Sequence, residues 1–254
     1  MNIQVTVYLL IFVSHFIWSK CEVTQHDKKF LYFAYGSNML EGRLRINVPS
    51  AVFITPAKLP GARPPGSRGR RRWPTSPTPY AATAFYFELS EIQSETETRN
   101  MHFMGYRLDF DKYSSNWRGA PATIVETDDP ESQVWGAVWA IDYREITPLD
   151  NQEGVYDGVY FPKYVKVLTP EDYEITARVY QMTSDPLEVN PEDLPLERRP
   201  SNTYLQVMSL GAYQCGLPAY YINFIRRFPA NGRPATEKLC QELGYPFNAN
   251  IQMS

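Results

Sequence analysis

The chain of 254 residues predicts an α+β fold, in which a mixed, largely antiparallel sheet or small barrel is flanked by helices. Short apolar and aromatic runs separated by turn residues recur along the chain, and such runs are typical of strands. The runs 158–167 and 174–182 mix polar with aromatic residues, which indicates antiparallel neighbours with one face half exposed. Helical spacing is concentrated after residue 200. These patterns favour one globular domain over residues 22–254.

The stretch 30–40, FLYFAYGSNML, predicts a strand, a turn and the start of a helix. Residues 30–35 suit a buried strand, and Gly36 gives the backbone the freedom to turn. Ser37 and Asn38 are typical helix-start residues, so we expect a helix over 39–45, before Pro49. Backbone N–H groups at such a junction point into one space, where they can hold a carboxylate or an oxyanion.

Further strands are predicted at 51–58, 105–110, 120–126 and 134–141. Pro56 is expected to break the first of them, because proline lacks the N–H that a sheet requires. The run 134–141, VWGAVWAI, is apolar on both alternating faces, which predicts a central place in a sheet or barrel wall. A short helical turn is expected over 143–152.

Residues 60–104 interrupt this pattern with many Pro, Gly, Ser, Thr and Arg residues, a composition that buries little apolar surface. We expect an insertion that forms a disordered surface loop or is translated non-coding sequence. Two functional alternatives stay open, a protease processing site at 68–71 and an anion-binding patch; the patch would comprise Arg63, Arg68, Arg70, Arg71 and Arg72. The run 81–89 is apolar enough to be an ordered segment.

The C-terminal part predicts helices after an acidic, proline-rich segment. Segment 183–200 is expected to be a mobile linker or a flap over the site, because it is long for a connection. Helices are predicted at 202–214, at 218–228 where Pro218 suits a first turn, and at 236–243 before Gly244.

The N-terminus resembles a signal peptide covering residues 1–21. The run 5–18 is nearly all apolar but short for a membrane span, and small residues precede a candidate cleavage point before Glu22. We therefore expect a secreted protein without integral membrane association after cleavage. No Lys or Arg precedes Val5, so an uncleaved anchor and a wrongly assigned start, which would leave the protein cytoplasmic, stay open.

Composition argues against several other classes of function. A net charge of −3 gives no broad basic surface for nucleic acid. Removal of Cys21 would leave Cys215 and Cys240, which form either one disulfide or two buried thiols; without a nearby histidine they predict no metal site. The three histidines, His15, His26 and His102, lie outside the core segments, so Ser37 lacks an ordinary base and is not predicted to be a nucleophile.

A carboxylate must then carry any acid–base chemistry, and Glu153 has the most suggestive surroundings. Asn151 and Gln152 precede it, and Tyr156 and Tyr160 follow within a few residues. Partial burial among such groups would raise the pKa of its carboxyl toward the range in which one group can accept and return a proton.

Several motifs in order resemble the γ-glutamylcyclotransferase family, which cyclises γ-glutamyl amino acids to 5-oxoproline and a free amino acid. The matching stretches cover most of the chain: YFAYGSN at 32–38, GYRLD at 105–109, WRGAPATI at 117–124, VWGAVW at 134–139, LDNQEGV at 149–155, RVYQMT at 178–183, and 204–218 ending in GLP. The resemblance implies the fold of that family, a small-molecule γ-glutamyl substrate, no cofactor and no metal. A homodimer is the candidate assembly.

The resemblance also implies roles for residues. Glu153 corresponds to the catalytic glutamate, and Tyr204 is expected to contact the substrate. The glutamyl pocket would be lined by Tyr32, Phe33, Ala34, Tyr35, Gly36 and Ser37, with Asn38, Tyr160 and Tyr180 as further candidates. A core-packing role is equally open for Tyr160 and Tyr180. Two alternatives stay open for the whole protein: a cyclotransferase specific for glutathione or γ-glutamylamines, and a secreted binding protein on the same fold.

Overall fold

The computed structural model describes residues 28–61, 71–72 and 105–246. Several predictions fall outside these ranges, namely the signal peptide at 1–21, the ordered segment at 81–89 and the three histidines. The expectation that 60–104 is a disordered insertion is likewise left a prediction, since only residues 60, 61, 71 and 72 of it are described.

Eight strands and five α-helices are present in the described ranges. The strands are β1 (Lys29–Ala34), β2 (Val52–Leu59), β3 (Arg71–Arg72), β4 (Gly105–Phe110), β5 (Ala122–Thr127), β6 (Val134–Asp142), β7 (Tyr160–Leu168) and β8 (Tyr173–Met182). The helices are α1 (Glu41–Leu44), α2 (Ile146–Gln152), α3 (Asn202–Gln214), α4 (Ala219–Ile225) and α5 (Glu237–Leu243).

Five strands close into a mixed barrel, which confirms the predicted α+β class. They pair in the order β1, β6, β2, β7, β8, and β8 returns to β1 through a parallel pairing of Tyr32 with Arg178. The other four contacts are antiparallel. Strand β6 lies between β1 and β2 and is buried from Val134 to Ile141, as its apolar sequence predicts. The antiparallel pairing of β7 with β8 is confirmed as well.

Strand β2 differs from its prediction because it continues through Pro56. Pro56 lies opposite Ala137 of β6, just after a register shift between Phe53 and Thr55. On its other side β2 pairs with β7 only at Lys58. The edge toward β7 is thus open along most of the strand, and edge positions are where sheets tolerate proline.

A second sheet contains only β4 and β5, which are antiparallel. The segments predicted at 51–58 and 105–110 therefore belong to different sheets and are not paired neighbours. Residues 71–72 lie in parallel beside Tyr173 and Glu174 of β8, so this part of the insertion extends the edge of the barrel sheet.

The helix predicted over 39–45 is interrupted. A 3-10 helix at Ser37–Met39 is followed by Leu40 in an extended conformation, with φ −77° and ψ 116°, and only then by α1. Helix α3 presses against this turn: a Cβ on Gly211 would lie 2.4 Å from the Leu40 nitrogen. Only glycine permits this approach, which holds the turn after β1 in place.

The two described cysteines are free thiols. Cys215 is buried and its Sγ donates to the Met39 carbonyl at 3.3 Å, again joining the end of α3 to the turn after β1. The Cys240 Sγ, in α5, donates to the Ala235 carbonyl oxygen at 3.7 Å. The described part of the chain thus has two thiols and no disulfide, as one of the two predicted states requires, but only Cys215 is buried.

Segment 183–200 is fastened to β4 and contains two 3-10 helices, Pro191–Asp193 and Leu196–Arg198. Buried Asp109 pairs with both Arg107 and Arg198. Arg107 also donates to the Pro186 carbonyl, and Arg198 donates to the Leu187 carbonyl. Segment 183–200 is therefore anchored to β4 through Arg107 and Asp109, and its mobility stays a prediction.

Candidate active site

Glu153 follows the last residue of α2, where two side-chain amides hold its carboxylate. Its Oε1 accepts a hydrogen bond of 2.7 Å from Asn38 Nδ2 and one of 3.3 Å from Gln152 Nε2. The same Asn38 nitrogen lies 3.0 Å from the Tyr32 hydroxyl oxygen, and Gln152 Nε2 donates to Asn38 Oδ1 at 3.0 Å. The structure therefore brings together Glu153, Asn38 and Tyr32, three residues that the sequence assigned to the site.

Burial raises the pKa of the Glu153 carboxyl above its ordinary value of 4.5, because the charged form loses solvation. The Arg43 charge and the hydrogen bonds from Gln152 and Asn38 oppose this rise. The residue as a whole is half-buried. A carboxyl with a raised pKa is better suited than an ordinary one to take up and return a proton.

Arg43 belongs to this site, although the sequence analysis missed it. Its Nη1 donates to Gln152 Oε1 at 3.0 Å, and its guanidinium carbon lies 5.8 Å from the centre of the Trp117 ring. In sequence, a single arginine on a short predicted helix is typical of a solvated surface residue. The residue spacing therefore did not indicate that Arg43 lies in the site. Only the folded chain shows that α1 carries it to the Glu153 neighbourhood.

Tyr204, in the first turn of α3, joins the turn after β1 to β5. Its hydroxyl oxygen accepts hydrogen bonds from Ala122 N at 2.9 Å and from Ser37 N at 3.4 Å. The Ser201 side chain caps the helix start by accepting from Tyr204 N. With its oxygen occupied by two donors, the phenol keeps its own proton free for a further acceptor.

Gly36 is required here for a different reason from the one predicted. Its φ of −112° is accessible to any residue, so conformational freedom is not the constraint. A Cβ at this position would lie 2.7 Å from the Tyr204 hydroxyl oxygen. Space beside Tyr204, rather than an unusual backbone angle, excludes larger residues.

Behind the site, Asp150 forms a buried cluster with Arg178 and Tyr180. Arg178 Nη2 lies 2.7 Å from Asp150 Oδ1, and the Tyr180 hydroxyl donates to the same oxygen. Tyr35 in turn donates its hydroxyl to the Tyr180 carbonyl at 2.6 Å. Asp150 lies in the last turn of α2, so this cluster fixes the end of the helix that Glu153 follows. Asp150 and Arg178 were not predicted, because 28 residues separate partners that only the fold brings together.

The remaining predicted pocket residues are buried with their polar groups already in use. The Tyr160 hydroxyl donates to the Ala122 carbonyl at 2.7 Å. Phe33 and Ala34 are fully buried in β1, where Phe33 packs over Gly136 of β6. Their assignment to the glutamyl pocket stays a prediction, and so does that of Ser37, which is buried at the turn.

In the described ranges, no group of three or more His, Cys, Asp or Glu side chains is arranged to hold a metal ion. In those same ranges every helix is too short or too polar to cross a membrane.

Known proteins resemble this chain over most of its length. A family model described as the AIG2-like family matches residues 133–225, which include α2 and Glu153. A gamma-glutamylcyclotransferase of Bos taurus is 35% identical over 198 residues, covering 78% of this chain and 78% of the relative. One of Homo sapiens is 32% identical over 223 residues, covering 87% and 90%.

Among solved structures, a gamma-glutamyl cyclotransferase matches with a TM-score of 0.60 and 28% identity, covering 85% of this chain and 99% of that chain. The similarity in sequence and the similarity in fold therefore agree. On this evidence, the chain belongs to the γ-glutamylcyclotransferase family.

Proposed function

We propose that this protein converts γ-glutamyl amino acids to 5-oxoproline and a free amino acid, with Glu153 as the general acid and base. The observation that carries this proposal is the Glu153 carboxyl, which is held by Asn38 and Gln152 and has a raised pKa. Names of relatives at 32–35% identity support the same reaction.

The reaction needs little machinery because it is intramolecular. Glu153 removes a proton from the substrate's α-ammonium, and the freed amine attacks the γ-carbonyl carbon to close a five-membered ring. Collapse of the tetrahedral intermediate breaks the bond to the leaving nitrogen, to which Glu153 returns the proton. The attacking nitrogen loses two protons in all and the leaving nitrogen gains two, so no co-reactant is required.

Negative charge develops on the former carbonyl oxygen during the attack, and a donor for it lies at the turn after β1. The Ser37 N–H at the start of the 3-10 helix already donates to the Tyr204 hydroxyl oxygen, so the donor that remains there is the Tyr204 hydroxyl itself. The Tyr204 hydroxyl lies against Ser37 N and has a proton to donate. Such a donor stabilises an oxyanion more strongly than the neutral carbonyl from which it forms.

The direct test is incubation of the purified protein with γ-glutamyl-alanine, followed by measurement of 5-oxoproline and alanine. Equal amounts of both products are expected. Glutathione and γ-glutamyl-ε-lysine are included as competing substrates, and faster turnover of either would assign the specificity to it. Absence of 5-oxoproline from all three would favour the binding-protein alternative.

We also propose that residues 1–21 are a signal peptide, that the mature enzyme is secreted, and that it forms a homodimer. The apolar run at 5–18 supports export, and an extracellular enzyme would take its γ-glutamyl substrates outside the usual place of glutathione metabolism. Expression of the full chain in secreting cells, followed by N-terminal sequencing, is expected to give Glu22 as the first residue. Light scattering of that product tests the dimer.

A further inference from the structure

Arg43 differs from Arg107, Arg178 and Arg198 in having no anionic partner among the described residues. Arg107, Arg178 and Arg198 each pair with a buried aspartate. Within the part of the chain that the structure describes, no ion pair involves Arg43. Its only acceptor there is the neutral amide oxygen of Gln152. This cation therefore contacts a neutral amide oxygen and the Trp117 ring but no anion of the described residues, and buried charges in proteins are usually paired.

One N–H donor of the Arg43 guanidinium is also unpaired in the described residues. Its Nε is buried and makes no hydrogen bond to the described residues. Burial lowers the pKa of Arg43, and the nearby Glu153 carboxylate opposes that effect without contacting it. Buried donors in folded proteins nearly always have an acceptor, so an unpaired nitrogen beside a candidate base indicates that a ligand supplies one.

Distances within the site are compatible with an α-amino acid group as that ligand. Gln152 bridges the two charged groups, since Arg43 Nη1 is 3.0 Å from its Oε1 and Glu153 Oε1 is 3.3 Å from its Nε2. The guanidinium and the Glu153 carboxylate are therefore at most about 9 Å apart by bond lengths across that amide. An α-amino acid group carries an ammonium and a carboxylate roughly 3 Å apart, so with one hydrogen bond at each end it spans about 8 to 9 Å.

We propose that Arg43 is a substrate-binding residue whose guanidinium holds the α-carboxylate of the γ-glutamyl group. This inference rests on the proposed function, because it assumes that Glu153 faces the ammonium on the same carbon. The arrangement leaves the Tyr204 hydroxyl at the turn after β1 to the oxyanion rather than to the carboxylate. It also makes a free α-carboxylate a condition for efficient turnover.

The test pairs two enzymes with two substrates. The substrates are γ-glutamyl-alanine and the analogue whose α-carboxylate is a primary carboxamide. Arg43→Met is expected to lower kcat/KM for the carboxylate substrate about 10- to 100-fold, the range of a charge-assisted hydrogen bond, and to change it less than about threefold for the carboxamide. Arg43→Lys keeps the charge but loses the forked donors, so it is expected to recover part of the loss.

Arg144→Met is the matched control, since this arginine is largely exposed and loses the same charge. It is expected to behave as the unchanged protein on both substrates. Equal losses on both substrates in Arg43→Met, in a variant whose unfolding is unaltered, would overturn the proposal and make Arg43 a support for Gln152. Unchanged kcat/KM would overturn it as well.

Binding of the product separates this proposal from the activity. Calorimetry with 5-oxoproline is expected to show weaker binding in Arg43→Met than in Arg144→Met, with no such difference for 5-oxoprolinamide. If the unchanged protein forms no 5-oxoproline yet shows this pattern, the proposed function fails and the carboxylate site stands. If binding does not depend on Arg43, the carboxylate site is refuted even where turnover is observed.

Discussion

The side-chain amide of Asn38 donates a 2.7 Å hydrogen bond to the Glu153 carboxylate across 115 residues of sequence. This contact links the turn after β1 to the end of α2, so the proposed base and the proposed oxyanion donor have a fixed relative position. A hydrogen bond to an ionised carboxylate also stabilises the charged form, which keeps the rise in its pKa moderate.

Replacing Glu153 by glutamine is expected to remove activity while preserving the fold. The amide keeps the shape of the side chain but cannot take up the ammonium proton, so 5-oxoproline formation from γ-glutamyl-alanine should fall at least about a hundredfold. Asp157→Asn serves as the control, because this exposed acid is four residues away. Turnover near the original level in Glu153→Gln would assign the proton transfer to another group.

The buried carboxyl of Glu153 should also affect stability in a pH-dependent way. Its folded-state pKa is raised above 4.5, so the folded protein holds this proton more tightly than the unfolded chain does. The free energy of unfolding of the unchanged protein, relative to that of Glu153→Gln, should be highest below about pH 4.5. It should fall as the pH rises through the raised pKa. Urea unfolding of both proteins at several pH values measures the difference. A difference that grows with pH would mean that the pKa is lowered instead.

Gly36→Ala is expected to reduce activity more than Ser37→Ala, because an added Cβ would lie 2.7 Å from the Tyr204 hydroxyl oxygen. Removing that hydroxyl should relieve the clash. The melting temperature of Gly36→Ala/Tyr204→Phe should therefore be higher than the two single variants predict by addition. Strict additivity would show that Gly36 matters for some reason other than the space beside Tyr204.

Sequence patterns located most of the strands, and the family motifs located Glu153, Asn38 and Tyr32, but Arg43, Asp150 and Arg178 were missed. Strand β6 was predictable because its residues are buried on both faces and apolar throughout. Glu153 and Tyr204 were predictable through the family motifs. The contacts of Asp150 with Arg178 and Tyr180, and the approach of Arg43 to Gln152, depend on barrel closure and on the position of α1. No local periodicity encodes contacts of that kind.

The break in the helix at Leu40 has a similar cause. Propensity favours a continuous helix after the turn, whereas the close approach of Gly211 in α3 determines the backbone at 39–40. Tertiary contact has overridden local preference at the point where the site is built.

Asp150→Asn is expected to destabilise the fold strongly and to reduce turnover as well. It leaves Arg178 buried beside Tyr180 with no opposing charge, and breaking a buried pair in this way typically costs about 3 to 5 kcal/mol. Asp157→Asn again provides the exposed comparison. Thermal unfolding measures the loss, and a change below about 1 kcal/mol would mean that Arg178 finds another partner or solvent.

The insertion at 60–104 is expected to be dispensable, although β2 and β4 belong to different sheets. Its two ends converge on the start of β6. Leu59 pairs with Val134, while Gly105 lies against the backbone of Ser132, two residues earlier. From the spacing of paired strands and the length of the chain per residue, Leu59 and Gly105 are no more than about 17 Å apart. A connection of about eight residues spans that distance easily.

Deletion of 62–103 with an eight-residue Gly-Ser connection should therefore preserve both the fold and turnover. Closure entropy changes only with the logarithm of loop length, so the shorter loop should alter stability by roughly 1 to 2 kcal/mol, in the stabilising direction. Loss of residues 71–72 beside β8 opposes this gain, because it exposes the edge at Tyr173 and Glu174. Thermal unfolding and γ-glutamyl-alanine turnover of this variant are compared with those of the full-length protein. The control is a second deletion variant in which residues 69–74 are kept. Recovery of stability only in the second deletion would show that the pairing with β8 is structural, and failure of both to fold would make the insertion an integral part of the domain.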